Sequence, residues 1–214
     1  MNIIFDMDGT LIDSTQAWID ADIEFGEQNG FRYTEVMYET VKTMRFHDAC
    51  RYLCKFCDLT PEKAAEQYFL LLEKNYLKSP LIKNAYEFVN NCYKSGIKMC
   101  VLTSGIRRLA QAALEFYGMY EFFEFVAAAD ELKIDKSQPE SFLKCCEKLG
   151  SDPRETLVFE DSFYAAKAAH DAGCIVIGME NPQHADELSE MKSISYKTIR
   201  DFENFDIVSC FQPA

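Results

Sequence analysis

The chain has 214 residues, of which 48% are hydrophobic and 14% are aromatic, enough to bury the core of one domain or of one domain with a small insertion. Its net charge of −13 disfavours a nucleic-acid partner, because phosphate binding needs clustered lysine and arginine. No apolar run is long enough to span a membrane and the first residues lack a signal-peptide pattern, so we expect a cytoplasmic protein with no membrane partner.

The first predicted element is a short buried strand at residues 3–5 that ends in two acids. Asp6 and Asp8 follow it directly, and Gly9 allows the backbone to coil after them. A buried parallel strand delivers such acids to the carboxyl edge of its sheet, where they would repel each other. Mg²⁺ relieves repulsion of this kind and prefers oxygen ligands. The stretch is therefore either a magnesium site or an ordinary acidic turn.

Residues 15–78 have no strand pattern and predict a helical insertion after the first strand. One helix ends at Gly30, a second runs through Met44, and a fourth begins at Thr60-Pro61. Threonine is a favoured N-cap residue and proline is favoured in the first helical position. The dipeptide Ser79-Pro80 closes the insertion.

The third helix of the insertion carries a possible zinc motif. His47, Cys50, Cys54 and Cys57 include a C-x-x-C pair, but they follow the spacing of one helix face, and a single helix cannot surround a tetrahedral ion. Free cysteine behaves as a small buried hydrophobe. The odd total of nine cysteines favours a reducing compartment over a disulfide framework. We therefore predict that these side chains pack in a core.

From Leu81 onward, helical patterns alternate with short apolar strands. The strand patterns lie at residues 97–103, 124–129, 156–160 and 174–178. This alternation favours right-handed βαβ units and a parallel sheet covered by helices on both faces. The predicted fold class is therefore α/β, with a doubly wound parallel sheet.

Polar residues follow three of the predicted strands at the point where each strand ends. Thr103-Ser104-Gly105 follows one strand, Lys133 and Lys136 lie in the loop after the next, and Glu160-Asp161 follows the next after that. Taken singly, these residues suit ordinary helix caps and solvated loops. Ligands bind at the carboxyl ends of strands in such sheets. Their shared position therefore predicts a site for a phosphate group and a metal ion.

Four segments resemble the motifs of the haloacid dehalogenase superfamily of phosphohydrolases. Residues 6–14 read D-M-D-G-T-L-I-D-S, residues 101–104 are an apolar strand ending in Thr-Ser, residues 131–142 resemble the lysine motif, and residues 158–162 read V-F-E-D-S. The third motif departs from the family pattern, with Asp135 in place of the usual glycine and Ser137 in place of the usual proline. The likeness covers nearly the whole chain.

The resemblance implies the branch of the family with a helical cap after the first strand. Residues 1–14 and 79–214 would form a Rossmann-like core domain, and residues 15–78 would form an all-helical cap domain. The implied activity is Mg²⁺-dependent hydrolysis of a small phosphorylated metabolite through an aspartyl-phosphate.

The resemblance also implies a role for each motif residue. Asp6 would attack phosphorus, and Asp8 would protonate the leaving oxygen and then deprotonate water. Lys133 is the alternative to Lys136 in the lysine motif. The implied Mg²⁺ ligands are Asp6, Asp8 through its main-chain carbonyl, Glu160 and Asp161. The implied phosphate-binding residues are Gly9, Thr103, Ser104 and Lys136.

Three other functions are weighed against a phosphatase. A dehalogenase of this fold normally lacks the second acid of the first motif, and Asp8 is present. A sugar phosphomutase resembling β-phosphoglucomutase usually carries a histidine near the position where this chain has Trp18. A catalytically inactive module that binds a phosphometabolite or a protein is disfavoured by the intact acids.

The sequence predicts the substrate least well. Arg45 and His47 precede the third helix of the insertion in a predicted loop, and either side chain would suit an anionic or hydroxylated leaving group. We therefore expect them to contribute to substrate specificity in a cap that closes over the leaving group. The oligomeric state cannot be read from these patterns.

Overall fold

The computed structural model describes residues 1–42 and 44–207, and six strands in these residues form one sheet. The spatial order is β3-β2-β1-β4-β5-β6, and every neighbouring pair is parallel. The strand order reverses beside β1, as in doubly wound folds. The strands are β1 (Asn2–Phe5), β2 (Lys98–Thr103), β3 (Phe125–Ala128), β4 (Thr156–Glu160), β5 (Ile175–Met179) and β6 (Lys197–Ile199).

The α-helices form two groups. The first group lies between β1 and β2 in the sequence, and we call these the inserted helices: α1 (Thr15–Gln28), α2 (Glu35–Val41), α3 (Phe46–Leu53) and α4 (Pro61–Tyr76). The second group connects or follows the later strands: α5 (Ala85–Lys94), α6 (Arg107–Phe116), α7 (Ala129–Leu132), α8 (Pro139–Leu149), α9 (Phe163–Asp171) and α10 (Leu188–Ile194). No helix in the described part of the chain has both the length and the apolar character needed to cross a membrane.

The predicted fold class is confirmed: a Rossmann-like doubly wound parallel sheet carries an all-helical insertion. The division into a core domain and a cap domain at residues 14/15 and 78/79 stays a prediction. The second predicted helix is shorter than expected, because α2 ends at Val41 and Thr43 lies outside the described residues. Strand β6 and helix α10 were not predicted, since a three-residue edge strand has no apolar run to reveal it.

Side chains of β1 alternate between the two faces of the sheet, as strand geometry requires. Ile3 and Phe5 belong to a core that also contains residues of the inserted helices, whereas Ile4 packs with Phe142 and Val158 under α8 and α9. The strand is buried on both faces. Burial therefore fixes the position of Phe5, the last residue of β1, and with it the position of Asp6, which follows directly.

The cysteine-bearing helix packs as predicted. Cys50 on α3 is buried, and Cys54 and Cys57 are partly buried. Among residues 1–42 and 44–207, the possible metal ligands that lie close enough to share an ion are carboxylates at another site, not His47 and these cysteines. The described cysteines are free thiols.

Phe5 anchors β1 in the aromatic part of the core. It is fully buried, stacks on Phe159 with ring centroids 5.0 Å apart, and meets Phe88 edge to face at 6.2 Å. We expect Phe5→Ala to lower the free energy of unfolding by about 3–5 kcal/mol, which corresponds to a melting temperature lower by roughly 6–20 °C. Calorimetry measures the change. Phe116→Ala is the control, because Phe116 is 65% exposed; an equal loss in both variants would contradict this account.

Candidate active site

The carboxyl ends of β1, β2 and β4 bring the predicted site residues together. Asp6 follows β1, Thr103 ends β2, and Glu160 ends β4. The register of the sheet aligns them, because Phe5 pairs with both Val101 and Phe159. The amide of Asp6 donates to the carbonyl of Phe159 at 2.9 Å, which extends the pairing beyond the strand.

Lys136 links two of these carboxylates from the loop before α8. Its ammonium donates to Asp6 Oδ1 and lies 2.6 Å from Glu160 Oε2. Lys136 is 2% exposed, and breaking such a buried ion pair costs about 3–5 kcal/mol. Lys133 is exposed and adopts a left-handed backbone conformation at φ 55°. The structure therefore favours Lys136 over Lys133 as the lysine of the site.

Gly9 allows the loop after β1 to approach Asp161. Its φ of +80° is a left-handed conformation, and a Cβ atom there would lie 2.1 Å from Asp161 Oδ2. Any larger residue would displace that carboxylate. Asp161 is also held by Asn181, whose side-chain amide donates to Oδ2 at 2.7 Å, and His184 Nε2 lies 3.7 Å from the same oxygen.

Three buried acids form a group that fits a divalent metal ion. Oxygens of Asp6, Glu160 and Asp161 lie within 4.8 Å of one another. Asp6 Oδ2 is buried and has no hydrogen-bond partner among the described residues, and an unsatisfied buried oxygen of this kind is costly. Hard cations such as Mg²⁺ bind oxygen ligands of this type. The donor set thus fits the metal predicted from the sequence.

Burial and mutual repulsion make these acids hard to ionise. Burial, together with the charge of Glu160, raises the pKa of Asp6 to about 8. Burial raises the pKa of Glu160 and of Asp161 to about 7. For Lys136, burial lowers the pKa, but the charges of Asp6 and Glu160 outweigh that effect and the net shift is upward. A bound cation would offset the same repulsion.

Asp8 makes its hydrogen bonds to residues outside the three-carboxylate group. Its Oδ1 accepts hydrogen bonds from the Ser14 hydroxyl at 2.5 Å and from Trp18 Nε1 at 3.0 Å. Trp18 belongs to α1, so an inserted helix orients an acid of the first motif. Because the indole N–H can only donate a hydrogen bond, Asp8 Oδ1 must be the acceptor in this contact.

The predicted phosphate-binding hydroxyls lie at the same edge of the sheet. Thr103 is buried, and its Oγ1 accepts a hydrogen bond from the amide of Gly105 at 2.9 Å. Ser104 Oγ lies 3.1 Å from the hydroxyl of Tyr164. These groups, with Lys136, supply donors for an anion.

A cavity of about 220 Å³ joins this edge to the inserted helices. All the predicted catalytic, metal and phosphate residues line it. Its wall on the side of the inserted helices includes Trp18, Ile19, Asp22, Tyr33, Tyr38, Val41, Lys42, Met44, Phe46, Ala49, Cys50, Leu53 and Tyr68.

The structure places Arg45 and His47 outside this cavity lining. Arg45 Nε donates to Asp48 at 2.8 Å, and His47 Nδ1 lies 2.7 Å from Asp130 Oδ2. His47 lies within α3 and not in the predicted loop, whereas Arg45 directly precedes that helix. Because Asp130 is on α7, His47 connects an inserted helix to the helix that follows β3. Direct contact of these two side chains with the leaving group finds no support in this geometry, and their role in specificity stays a prediction.

Sequence reasoning missed Ser14, Trp18 and Asn181, which contact acids of the predicted catalytic and metal sites. Ser14 and Trp18 reach Asp8 through the fold of the loop before α1, and no local pattern marks that contact. Asn181, which donates to Asp161, lies just after β5. The rule that ligand-binding residues follow the ends of parallel strands would have found Asn181 if it had been applied to that strand.

Comparison with known proteins identifies a matching family. Residues 3–179 match the family model for haloacid dehalogenase-like hydrolases. A fructose-1-phosphate phosphatase of Escherichia coli, YqaB, is 30% identical and the match covers 80% of this chain and 92% of that protein. A phosphorylated carbohydrates phosphatase of Thermotoga maritima is 27% identical, with 80% and 81% covered.

A solved structure shows the same fold at low sequence identity. A mutant of CbbY from Rhodobacter sphaeroides, in complex with xylulose-(1,5)bisphosphate, superposes with a TM-score of 0.86. The match covers 99% of each chain at 17% identity. At this level of sequence identity, the superposition shows that the two proteins share a fold.

We expect the metal-free protein to lose stability as the pH rises from about 5.5 to about 8. The ordinary pKa values of these acids are 3.8 and 4.5, whereas in the folded state they are about 8 and about 7. Between those limits the folded protein holds protons that the unfolded chain has released, so raising the pH favours unfolding. The melting temperature in a chelator should fall by roughly 5 °C or more over this range.

Two variants separate this effect from other titrations. Asp161→Asn removes one of the raised acids and its repulsion with Asp6, so the pH dependence should become shallower. Asp171→Asn changes an exposed acid paired with Lys167 and should leave the slope unchanged. Equal slopes in both variants, or a stability that rises with pH in the chelator, would contradict the assignment.

Proposed function

Because the chain belongs to the haloacid dehalogenase-like hydrolases, we propose that it is a Mg²⁺-dependent phosphatase that hydrolyses a small phosphomonoester through an aspartyl-phosphate. The observation that carries the proposal is the position of Asp6. One of its oxygens is held by Lys136, and the other is buried without a hydrogen-bond partner among the described residues. An acid fixed by one oxygen in this way presents the other for attack on phosphorus.

The reaction divides into two balanced steps. In the first, an oxygen of Asp6 bonds to phosphorus, the bond from phosphorus to the leaving oxygen breaks, and Asp8 gives that oxygen a proton. In the second, water bonds to phosphorus while Asp8 takes its proton, and the bond between Asp6 and phosphorus breaks. Inorganic phosphate leaves, and both acids return to their starting state.

Asp6, Glu160 and Asp161 would hold Mg²⁺, and the main-chain carbonyl of Asp8 is a further predicted ligand. The ion would supply positive charge that offsets the repulsion between the carboxylates and the phosphoryl group. Asn181 supports this role, because its hydrogen bond fixes the orientation of Asp161.

Lys136, Thr103, Ser104 and the backbone at Gly9 would hold the oxygens of the phosphoryl group. Lys136 also favours the ionised form of Asp6, since its charge lowers a pKa that burial raises. Phosphoryl transfer depends mainly on positioning and charge stabilisation of this kind.

The contact between Trp18 and Asp8 favours a phosphatase over a sugar phosphomutase. The indole donates to Asp8 Oδ1 at 3.0 Å, and it has no acceptor with which to relay a proton. The names of two relatives also favour a phosphatase, since both are phosphatases of carbohydrate phosphates. A small phosphorylated metabolite is therefore the proposed partner, and a cytoplasmic location stays a prediction.

We expect Asp6→Asn to reduce Mg²⁺-dependent hydrolysis of p-nitrophenyl phosphate by about 10⁴-fold or more, because the amide is a poor nucleophile. The fold should survive, since the change is isosteric and Lys136 keeps its ion pair with Glu160. Phosphate release and circular dichroism of the purified variant measure the two outcomes. The matched Asp171→Asn variant should retain full activity, and substantial residual hydrolysis by Asp6→Asn would refute the assigned nucleophile.

We expect Mg²⁺ to stabilise the protein at about pH 8, where fewer protons compete for the oxygens of the three acids than at lower pH. A concentration of about 100 times Kd would add about 2.7 kcal/mol and raise the melting temperature by roughly 5–10 °C. At about pH 5.5 the shift should be smaller, because protons compete for the same oxygens. Asp161→Asn should lose most of the shift; an unchanged shift in that variant would place the ion elsewhere.

A further inference from the structure

The wall formed by the inserted helices is mainly aromatic and apolar. Its rings include Trp18, Phe46 and Tyr68, all of which line the cavity. Tyr68 lies between the other two, with ring centroids 6.2 Å from Trp18 and 5.8 Å from Phe46. Aromatic faces attract cations, including substituted ammonium groups. This wall is thus better matched to an apolar or cationic leaving group than to one that carries many hydroxyls.

A single carboxylate lies within this aromatic wall. Asp22 on α1 is 8% exposed, lines the cavity, and accepts a hydrogen bond from the hydroxyl of Tyr68. Burial raises the pKa of Asp22 to about 7, and no cation contributes to that shift. The side chains that hydrogen-bond to Asp22 in the described residues are the tyrosines Tyr68 and Tyr33, which carry no charge to offset the carboxylate. A buried carboxylate without a cationic partner is costly, and a bound cation would remove that cost.

The cations that line the cavity are already paired. Lys42 Nζ lies 2.8 Å from Glu39 Oε2 and 3.8 Å from Glu187 Oε1. At the phosphoryl end, Lys136 is held by Asp6 and Glu160. A leaving group with a carboxylate or a second phosphate would therefore meet Asp22, and both lysines of the described lining are already paired with acids.

The size of the cavity limits the leaving group further. Its volume of about 220 Å³ is below the roughly 300–1,000 Å³ of pockets that hold drug-sized ligands. The phosphoryl group occupies part of that space at the sheet edge. What remains suits an alcohol of a few carbon atoms and not a nucleoside.

We propose, on the basis of the phosphatase function above, that the substrate is the phosphate monoester of a small amino alcohol whose cationic nitrogen lies between the Asp22 carboxylate and the rings of Trp18 and Tyr68. Hydrolysis consumes one water, breaks the bond between phosphorus and the alcohol oxygen, and releases inorganic phosphate and the free amino alcohol. The nitrogen keeps its charge throughout, so Asp22 contributes to binding and takes no part in proton transfer.

The test compares esters of similar size that differ in charge. Phosphoethanolamine and phosphocholine carry a cationic leaving group, glycerol 3-phosphate a neutral one, and 2-phosphoglycolate an anionic one. With Mg²⁺ and the full chain, we expect kcat/KM for the cationic esters to exceed that for the neutral ester at least about tenfold, as for a desolvated contact between a cation and an aromatic ring. The anionic ester should be the poorest substrate.

Asp22→Asn tests the residue itself. The ratio of kcat/KM for phosphoethanolamine to that for glycerol 3-phosphate should fall about tenfold, mainly through a higher KM for phosphoethanolamine. The matched control is Asp20→Asn, two positions away on α1, where the acid is exposed and accepts a hydrogen bond from Gln16. In this variant the ratio of the two kcat/KM values should equal that of the unmodified protein.

A third measurement does not depend on any variant. Free ethanolamine and choline should inhibit hydrolysis of p-nitrophenyl phosphate competitively, at concentrations at which glycerol has no effect. If p-nitrophenyl phosphate is hydrolysed but neither the ester panel nor the inhibition distinguishes cations from neutral compounds, the inference fails and the proposed phosphatase stands. Absence of Mg²⁺-dependent hydrolysis of every ester would overturn both.

Discussion

The buried ammonium of Lys136 is the interaction on which the catalytic edge of the sheet depends. It lies between Asp6 and Glu160, which belong to the ends of two neighbouring strands, β1 and β4. Without it, these carboxylates would face one another unscreened in a buried site, which is a strongly unfavourable arrangement. The lysine therefore has a structural and a chemical role at once. It allows the strands to end in acids, and it fixes one oxygen of the proposed nucleophile.

The inserted helices contribute to both ends of the cavity. Helix α1 carries Trp18, which bonds to Asp8, and also Asp22, which lies one turn further along the same wall. A displacement of α1 would thus alter the orientation of the proposed acid and the shape of the leaving-group wall together. The link between His47 and Asp130 connects the inserted helices to the region after β3 from another side. In the proposed function, substrate selection and proton transfer would therefore both depend on the position of α1.

The sequence was most informative where a buried strand ends in polar residues. The alternation of apolar runs and helical patterns predicted the doubly wound sheet, and the strand ends predicted Asp6, Thr103, Lys136 and Glu160 as neighbours, all of which line one cavity. The role of Arg45 and His47 in specificity stays a prediction, because a loop assignment does not say which way a side chain points and neither residue lines the cavity. The contacts of Ser14 and Trp18 with Asp8 arise from the path of the chain into α1. They depend on tertiary geometry that no local spacing encodes.

Trp18 is the single tryptophan of the chain, and its indole nitrogen bonds to Asp8 while its ring lines the cavity. Indole emission from this protein consequently originates at one position, in contact with the proposed acid and beside the leaving-group wall. Protonation of Asp8, entry of a ligand and movement of α1 all change the polarity around that ring. The molecule thus carries an intrinsic fluorescent reporter at the junction of its sheet edge and its inserted helices, without any label.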